Sequence, residues 1–364
     1  MKISVYKPFL APNVKKYINE CLDSNWISSK GNFINKFEDK FCDFLNVPYA
    51  TSVSNGTVAL HVAMLALGIK KGDEVIVPDF TYIASVNAIA YVGAKPILVD
   101  ANIKTWNIDT SLIAERITDK TKAIMAVHLY GNPCNMKKIK ELCDKYNLFL
   151  IEDAAEAFGS KYQDSYCGSF GDISTFSFFG NKTITTGEGG MVVANNSDLD
   201  ERVKLLKNQA VSQTKEYWHE EIGFNYRMTN IQAAIGLAQL EQGQNTLDKK
   251  SELANNYMSA LEMLPISFQI LEKNGFSSFW MVSIIVENNT IRNNLRKHLF
   301  KNGVETRPFF HPASEMPVFS TSSPRTKSNT IESNIGLVSS KPAAIAWARA
   351  AATSAGSKSA SVVR

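Results

Sequence analysis

One lysine stands in an unusual place. Between a β-type run at 174–179 and a second at 191–194, the chain passes through Gly180-Asn181-Lys182-Thr183-Ile184-Thr185-Thr186 and then the cluster Gly187-Glu188-Gly189-Gly190. An amine held among apolar groups has a lowered pKa, and in its neutral form it attacks carbonyls, as a Schiff-base lysine must. Most lysines are solvated surface charges. Lys182 therefore needs partners before it means anything.

Three other stretches supply candidates. Ser54-Asn55-Gly56-Thr57 falls between a strand signal and a helix signal. Backbone N–H groups at that helix start would hold a phosphate, with the Thr57 hydroxyl beside them; an ordinary capped turn is the plain alternative. Pro78-Asp79-Phe80-Thr81-Tyr82 offers Tyr82 as a ring that could stack on a flat ligand, or simply pack in the core. Leu150-Ile151-Glu152-Asp153-Ala154-Ala155-Glu156 ends a hydrophobic run in carboxylates, with Asp153 at the strand end. It is either a ligand partner or a helix cap. A phosphate cradle, a stacking aromatic, a carboxylate to protonate a pyridine nitrogen and an imine-forming amine are together the parts a pyridoxal 5′-phosphate enzyme requires. The glycine cluster is not a dinucleotide fingerprint, because it lacks the G-x-G-x-x-G spacing and a strand follows it.

These stretches need elements to hold them. Strand signals at 49–54, 74–78, 95–100, 122–128 and 148–152 alternate with helix signals at 57–67, 82–92, 109–117 and 136–146. Such alternation predicts βαβ units, a mostly parallel sheet and helices on both faces, with ligands at the carboxyl ends of the strands. Phe33, Phe37, Phe41 and Phe44 recur at helical spacing, a core stripe. Further on, helices at 199–208, up to 242 and at 249–263 precede strands at 277–286 and 304–310 around a helix at 291–301. This predicts a large domain over 1–242 and a smaller α+β domain over 243–320.

With 364 residues, 45% hydrophobic and 20% charged, the chain is long enough for two cores. Five scattered cysteines without C-x-x-C spacing indicate neither a zinc site nor a disulfide framework. No segment is apolar enough to read as a leader or membrane span, so the expected location is the cytoplasm. Residues 321–364 carry six basic residues against one acid, which leaves the first 320 at a net charge of −1. The main body presents no basic face for nucleic acid. His311, after Arg307-Pro308-Phe309-Phe310, is a weaker site candidate.

Ser54-Asn55-Gly56-Thr57, Glu152-Asp153-Ala154-Ala155-Glu156, Ser177 with Lys182, Gly187-Glu188-Gly189-Gly190 and Gly223-Phe224-Asn225-Tyr226-Arg227, taken as a set, resemble the DegT-type sugar aminotransferases. These have the fold-type-I, aspartate aminotransferase-like fold of pyridoxal-phosphate enzymes. The resemblance covers residues 1 to about 320. It implies Lys182 as the cofactor-bearing lysine and catalytic base, Asp153 as the pyridinium partner and Tyr82 as the residue stacked on the ring. It implies Gly56, Thr57 and Ser177 on the phosphate, and Asn225 reaching the phosphate of a neighbouring subunit, hence a homodimer. Glu156 stands near the cofactor ring, where many members carry glutamine. One branch of the family has histidine for the lysine and removes a hydroxyl; here lysine implies transamination.

The runs at 26–31 and 178–186 are most like members that aminate GDP-4-keto-6-deoxy-D-mannose with L-glutamate for O-antigen lipopolysaccharide. A UDP- or dTDP-linked keto sugar is the alternative, as is a cofactor-binding protein impaired by its C-terminus. Beyond 320, serine, alanine and threonine dominate and apolar periodicity stops. That stretch reads as an anomalous, frame-shifted or appended tail, disordered or poorly packed.

Overall fold

The alternating strand and helix signals become a seven-stranded sheet wrapped by helices. The computed structural model describes residues 3–320 and 334–337. It opens on helices α1 (Val14–Asp23) and α2 (Asn32–Leu45), before strand β1 (Tyr49–Val53) leads into α3 (Gly56–Ala66). Strand β2 (Glu74–Pro78) leads into α4 (Ile83–Tyr91), and β3 (Lys95–Val99) is followed by β4 (Thr121–Val127) and α5 (Met136–Tyr146). Next come β5 (Phe149–Asp153), the short pair β6 (Lys161–Tyr162) and β7 (Ser165–Tyr166), then β8 (Ile173–Ser177) and β9 (Gly190–Ala194). Helices α6 (Ser197–Lys207), α7 (Asn230–Leu240) and α8 (Gly243–Leu261) precede β10 (Ile266–Phe268), β11 (Gly275–Phe276) and β12 (Val282–Val286). Helix α9 (Asn289–Lys301) and strands β13 (Thr306–Pro308) and β14 (Asn334–Leu337) complete the described elements.

The large sheet has the order β1-β9-β8-β5-β4-β2-β3. Its β8-β5-β4-β2-β3 stretch is parallel throughout, and β9 runs antiparallel to both neighbours. Strands buried on both faces need unbroken apolar runs, and Val75, Ile76, Val77 and Ala123 to Val127 supply them, all buried. Helices α3 and α4 pack on one face of the sheet. On the other, Phe37 and Phe41 of α2 meet Phe176 and Phe178 at ring separations of 5.0–5.7 Å. Each fully buried phenylalanine stabilises by roughly 1.5–3 kcal/mol.

A second core joins α8 and α9 to a four-stranded antiparallel sheet of order β10-β12-β14-β13. Strand β14 lies within the stretch expected to be an anomalous tail; the rest of that stretch, 321–333 and 338–364, falls outside the described residues.

Two expected elements differ. The helix expected at 109–117 is only a short 3₁₀ turn at Ala114–Arg116. The Asp109 carboxylate accepts the N–H and hydroxyl of Ser111, a local turn that competes with the helix. The strand expected from 277 begins at Val282 instead. Phe279 there has φ +46°, outside the β region, and Ser278 N–H bonds to the Ser160 hydroxyl rather than to a strand.

Candidate active site

Side chains from the carboxyl ends of β1, β2, β5 and β8 meet at one cavity of about 620 Å³. Lys182 enters it from the turn after β8, its side chain 13% exposed. Its Nζ lies 4.0 Å from Glu156 Oε1 and 4.1 Å from the centroid of the Trp280 ring. Burial pushes the amine below the ordinary lysine value, while Glu156 and Asp153 pull it back up. Burial likewise pushes the Glu156 carboxyl up to about 7, against Lys182 and the Tyr130 N–H, which donates to it at 2.7 Å. Two groups that would be fully charged in water are thus each drawn towards neutrality, which suits proton exchange.

Asp153 is buried at the last position of β5. Its two oxygens are fixed separately: Oδ2 accepts the Ser85 hydroxyl at 2.7 Å, and Oδ1 accepts the Ala155 N–H at 3.1 Å. A carboxylate aimed by two donors presents one geometry to a ligand.

The cradle is built by close approach. Asn55 caps α3, its Oδ1 accepting the Val58 N–H at 3.0 Å. Gly56 and Thr57 then open the helix, where first-turn N–H groups have no partner within the helix. A Cβ on Gly56 would sit 2.7 Å from Ser177 Cβ, and one on Gly190 would sit 2.6 Å from the Asn55 carbonyl oxygen. Only glycines let the helix start, the end of β8 and the start of β9 come together. Tyr82, 56% exposed, lines the cavity at its mouth, 5.4 Å from the Phe310 ring.

Of the residues expected on the cofactor, Asn225 is the one that does not line this cavity. Its Oδ1 accepts Arg227 Nε at 3.1 Å and a second guanidinium nitrogen at 2.8 Å. His311 lines an adjoining, mostly apolar cavity of about 680 Å³ that shares Tyr82, Trp280 and Phe310 with the first. His128 is a core histidine: Nδ1 accepts the Cys134 N–H at 3.0 Å and Nε2 donates to Glu152 at 2.9 Å. Burial alone would raise the Glu152 carboxyl, but His128 and the Gly168 and Gly171 N–H groups hold it below its ordinary value.

The DegT/DnrJ/EryC1/StrS aminotransferase family model matches residues 9–336. The chain belongs to that family. It is 58% identical over 318 residues to the GDP-perosamine synthase of Escherichia coli O157:H7, with 87% of each chain covered. It is 36% identical over 325 residues to the putative pyridoxal phosphate-dependent aminotransferase EpsN of Bacillus subtilis, covering 87% of this chain and 84% of that one. Among solved structures it is similar to S. venezuelae DesV in complex with a ketimine intermediate, at TM-score 0.87 and 30% identity, covering 97% and 95% of the two chains.

The cofactor of this aminotransferase is pyridoxal phosphate, and the residues present fit it. A glycine-lined helix start with the Ser177 hydroxyl suits a phosphate. A doubly anchored carboxylate suits a pyridinium, and a buried amine of lowered pKa suits an aldehyde. Trp280 and Ser85 were invisible in the sequence. Ser85 lies 68 residues from the aspartate it orients, and the Trp280 indole N–H donates to Asn181 O across 99 residues.

Proposed function

We propose that the protein transfers an amino group from L-glutamate to GDP-4-keto-6-deoxy-D-mannose, giving GDP-perosamine for O-antigen lipopolysaccharide. The observation that carries the transamination is the amine of Lys182, inside the cavity and 4.0 Å from a carboxylate that titrates near neutrality. The GDP-linked sugar is supported by the 58% identity to an enzyme of that name. Pyridoxal phosphate supplies the aldehyde that receives the amino group and the ring that takes up electrons as a Cα–H bond opens.

The protein's own residues do the rest. Gly56, Thr57 and Ser177 bind the phosphate, Tyr82 covers the ring face, and Asp153 keeps a proton on the ring nitrogen. Lys182 anchors the cofactor, then moves a proton from the donor's Cα and back to the sugar's C4. Glu156 accepts or returns a proton at the Lys182 amine. Asn225 reaches the phosphate held by a second copy, so the working unit is a homodimer in the cytoplasm. A division into a large domain over 1–242 and a small one over 243–320 is supported by the break between α7, ending at Leu240, and α8, beginning at Gly243.

The test is spectroscopic and then enzymatic. Protein reconstituted with cofactor should show a visible absorption band that glutamate bleaches, and Lys182→Ala should abolish both the band and turnover. A panel of GDP-, UDP- and dTDP-linked 4-keto sugars should give amino transfer on the GDP-linked sugar first. A preference for a UDP-linked sugar would overturn the nucleotide assignment.

A further inference from the structure

Trp280 has three anchors, and its ring face is spent on the reactive lysine. The indole N–H donates to the Asn181 carbonyl at 2.7 Å, one residue before Lys182. The ring lies against Tyr130, with centroids 6.1 Å apart and planes within 12°. Behind it, Lys250 of α8 donates from Nζ to the Trp280 carbonyl at 3.2 Å. Among the described residues no carboxylate lies within 4.0 Å of the Lys250 amine. A half-buried amine, pushed down to about 8 by burial and hydrogen-bonded to one carbonyl, costs stability, so it calls for an explanation. What it holds is the residue under the Lys182 amine, with Nζ 4.1 Å from the Trp280 ring centroid.

We propose that Trp280, clamped from behind by Lys250, is a positioning residue that fixes the Lys182 amine over its ring through both halves of the reaction. This rests on the reading of Lys182 as the cofactor-bearing amine. The indole face favours the ammonium form of Lys182 and limits where the nitrogen goes when it leaves the cofactor. The clamp also ties the reaction centre to the small sheet, because β12 begins two residues after Trp280. Other titratable groups around the amine are Asp153 at the end of β5, Glu156 just beyond it, Tyr130 after β4, and Tyr6, whose hydroxyl donates to the Lys182 carbonyl. None of these presents a ring face to Nζ, so the cation–ring contact belongs to Trp280.

The test compares Trp280→Leu, Trp280→Phe and Lys250→Met. In cofactor-free protein, trace acetylation over a pH series, read at the Lys182 peptide by mass spectrometry, gives the titration midpoint of that amine without any turnover. Trp280→Leu keeps apolar cover but removes the ring, and should lower the midpoint by about half to one pH unit. Trp280→Phe should restore it. In the reconstituted enzyme, Trp280→Leu should slow the glutamate half-reaction by about tenfold or more with little change in KM for glutamate. Lys250→Met should slow it in the same pattern, by less.

A folded Trp280→Leu protein with midpoint and rate within twofold of the parent overturns the proposal. If that variant does not fold, Lys250→Met with an unchanged half-reaction overturns it instead. Failure of the underlying reading looks different: Lys182→Ala would keep the visible band.

Discussion

The charge of Glu156 depends strongly on its surroundings. In the unfolded chain its carboxyl ionises near the ordinary value of 4.5, and in the folded protein it holds its proton to about 7. Between those values the folded state binds more protons than the unfolded one, so this group's contribution to stability falls as pH rises through the window. Glu156→Gln lacks that titration. Cofactor-free wild type should therefore lose about 3 kcal/mol against Glu156→Gln between the acid and alkaline sides of the window. Urea unfolding of both proteins at each end checks this, and parallel pH curves would place the ionised form there throughout. At Asp153, replacing its orienting partner is the sharper probe: Ser85→Ala removes one of two donors and should weaken cofactor binding by about tenfold, read by titrating the visible band. The carboxylates and the lysine were legible in the sequence because each lies at or shortly after a strand's carboxyl end, where a parallel sheet binds its ligands. Ser85 and Trp280 were not, since nothing local marks a side chain whose partner is brought in only by tertiary folding.

At the scale of elements, the start of α3 is the most constrained junction. Gly56→Ala would drive a methyl to within 2.7 Å of Ser177 Cβ, so α3 or β8 must shift. The expected cost is about 1–3 kcal/mol of stability together with a larger loss of cofactor affinity, measured by urea midpoint and band titration. Asn55→Ala removes only the cap and should cost about 1 kcal/mol with a smaller change in affinity. The strands of the large sheet were readable because burial on both faces demands continuous apolar runs, and β2 and β4 have them. The segment at 277–280 was misread for the converse reason. Ser277, Ser278 and Phe279 have strand-like composition, but the Ser277 hydroxyl accepts the Phe279 N–H and turns the chain, which is how Trp280 is aimed at Lys182. A local hydrogen bond defeated a pattern that composition alone favours.

On the scale of the whole molecule, none of the described helices is long and apolar enough to cross a membrane. The site draws on both sheets: Lys182 comes from the turn after β8, inside the large sheet, and Trp280 from the entry to the small one. Strand β14 separates β12 from β13 in the small sheet, pairing Val282 with Leu337 and Thr306 with Leu337. A chain ending at Ser320 would leave both of those strands with an unpaired edge. Its melting temperature should fall by about 5 °C or more, with slower amino transfer as the Trp280 entry loosens. An unchanged melt would mean that the small sheet stands without its inner strand. Because an interior position is filled by the last described strand, order of synthesis matters. The seven-stranded sheet can assemble while the polypeptide is still being made, whereas the smaller one must wait until residue 337 has cleared the ribosome. The newborn protein would thus hold its lysine ready before the tryptophan beneath it is locked, and coenzyme capture would be among the last events of maturation.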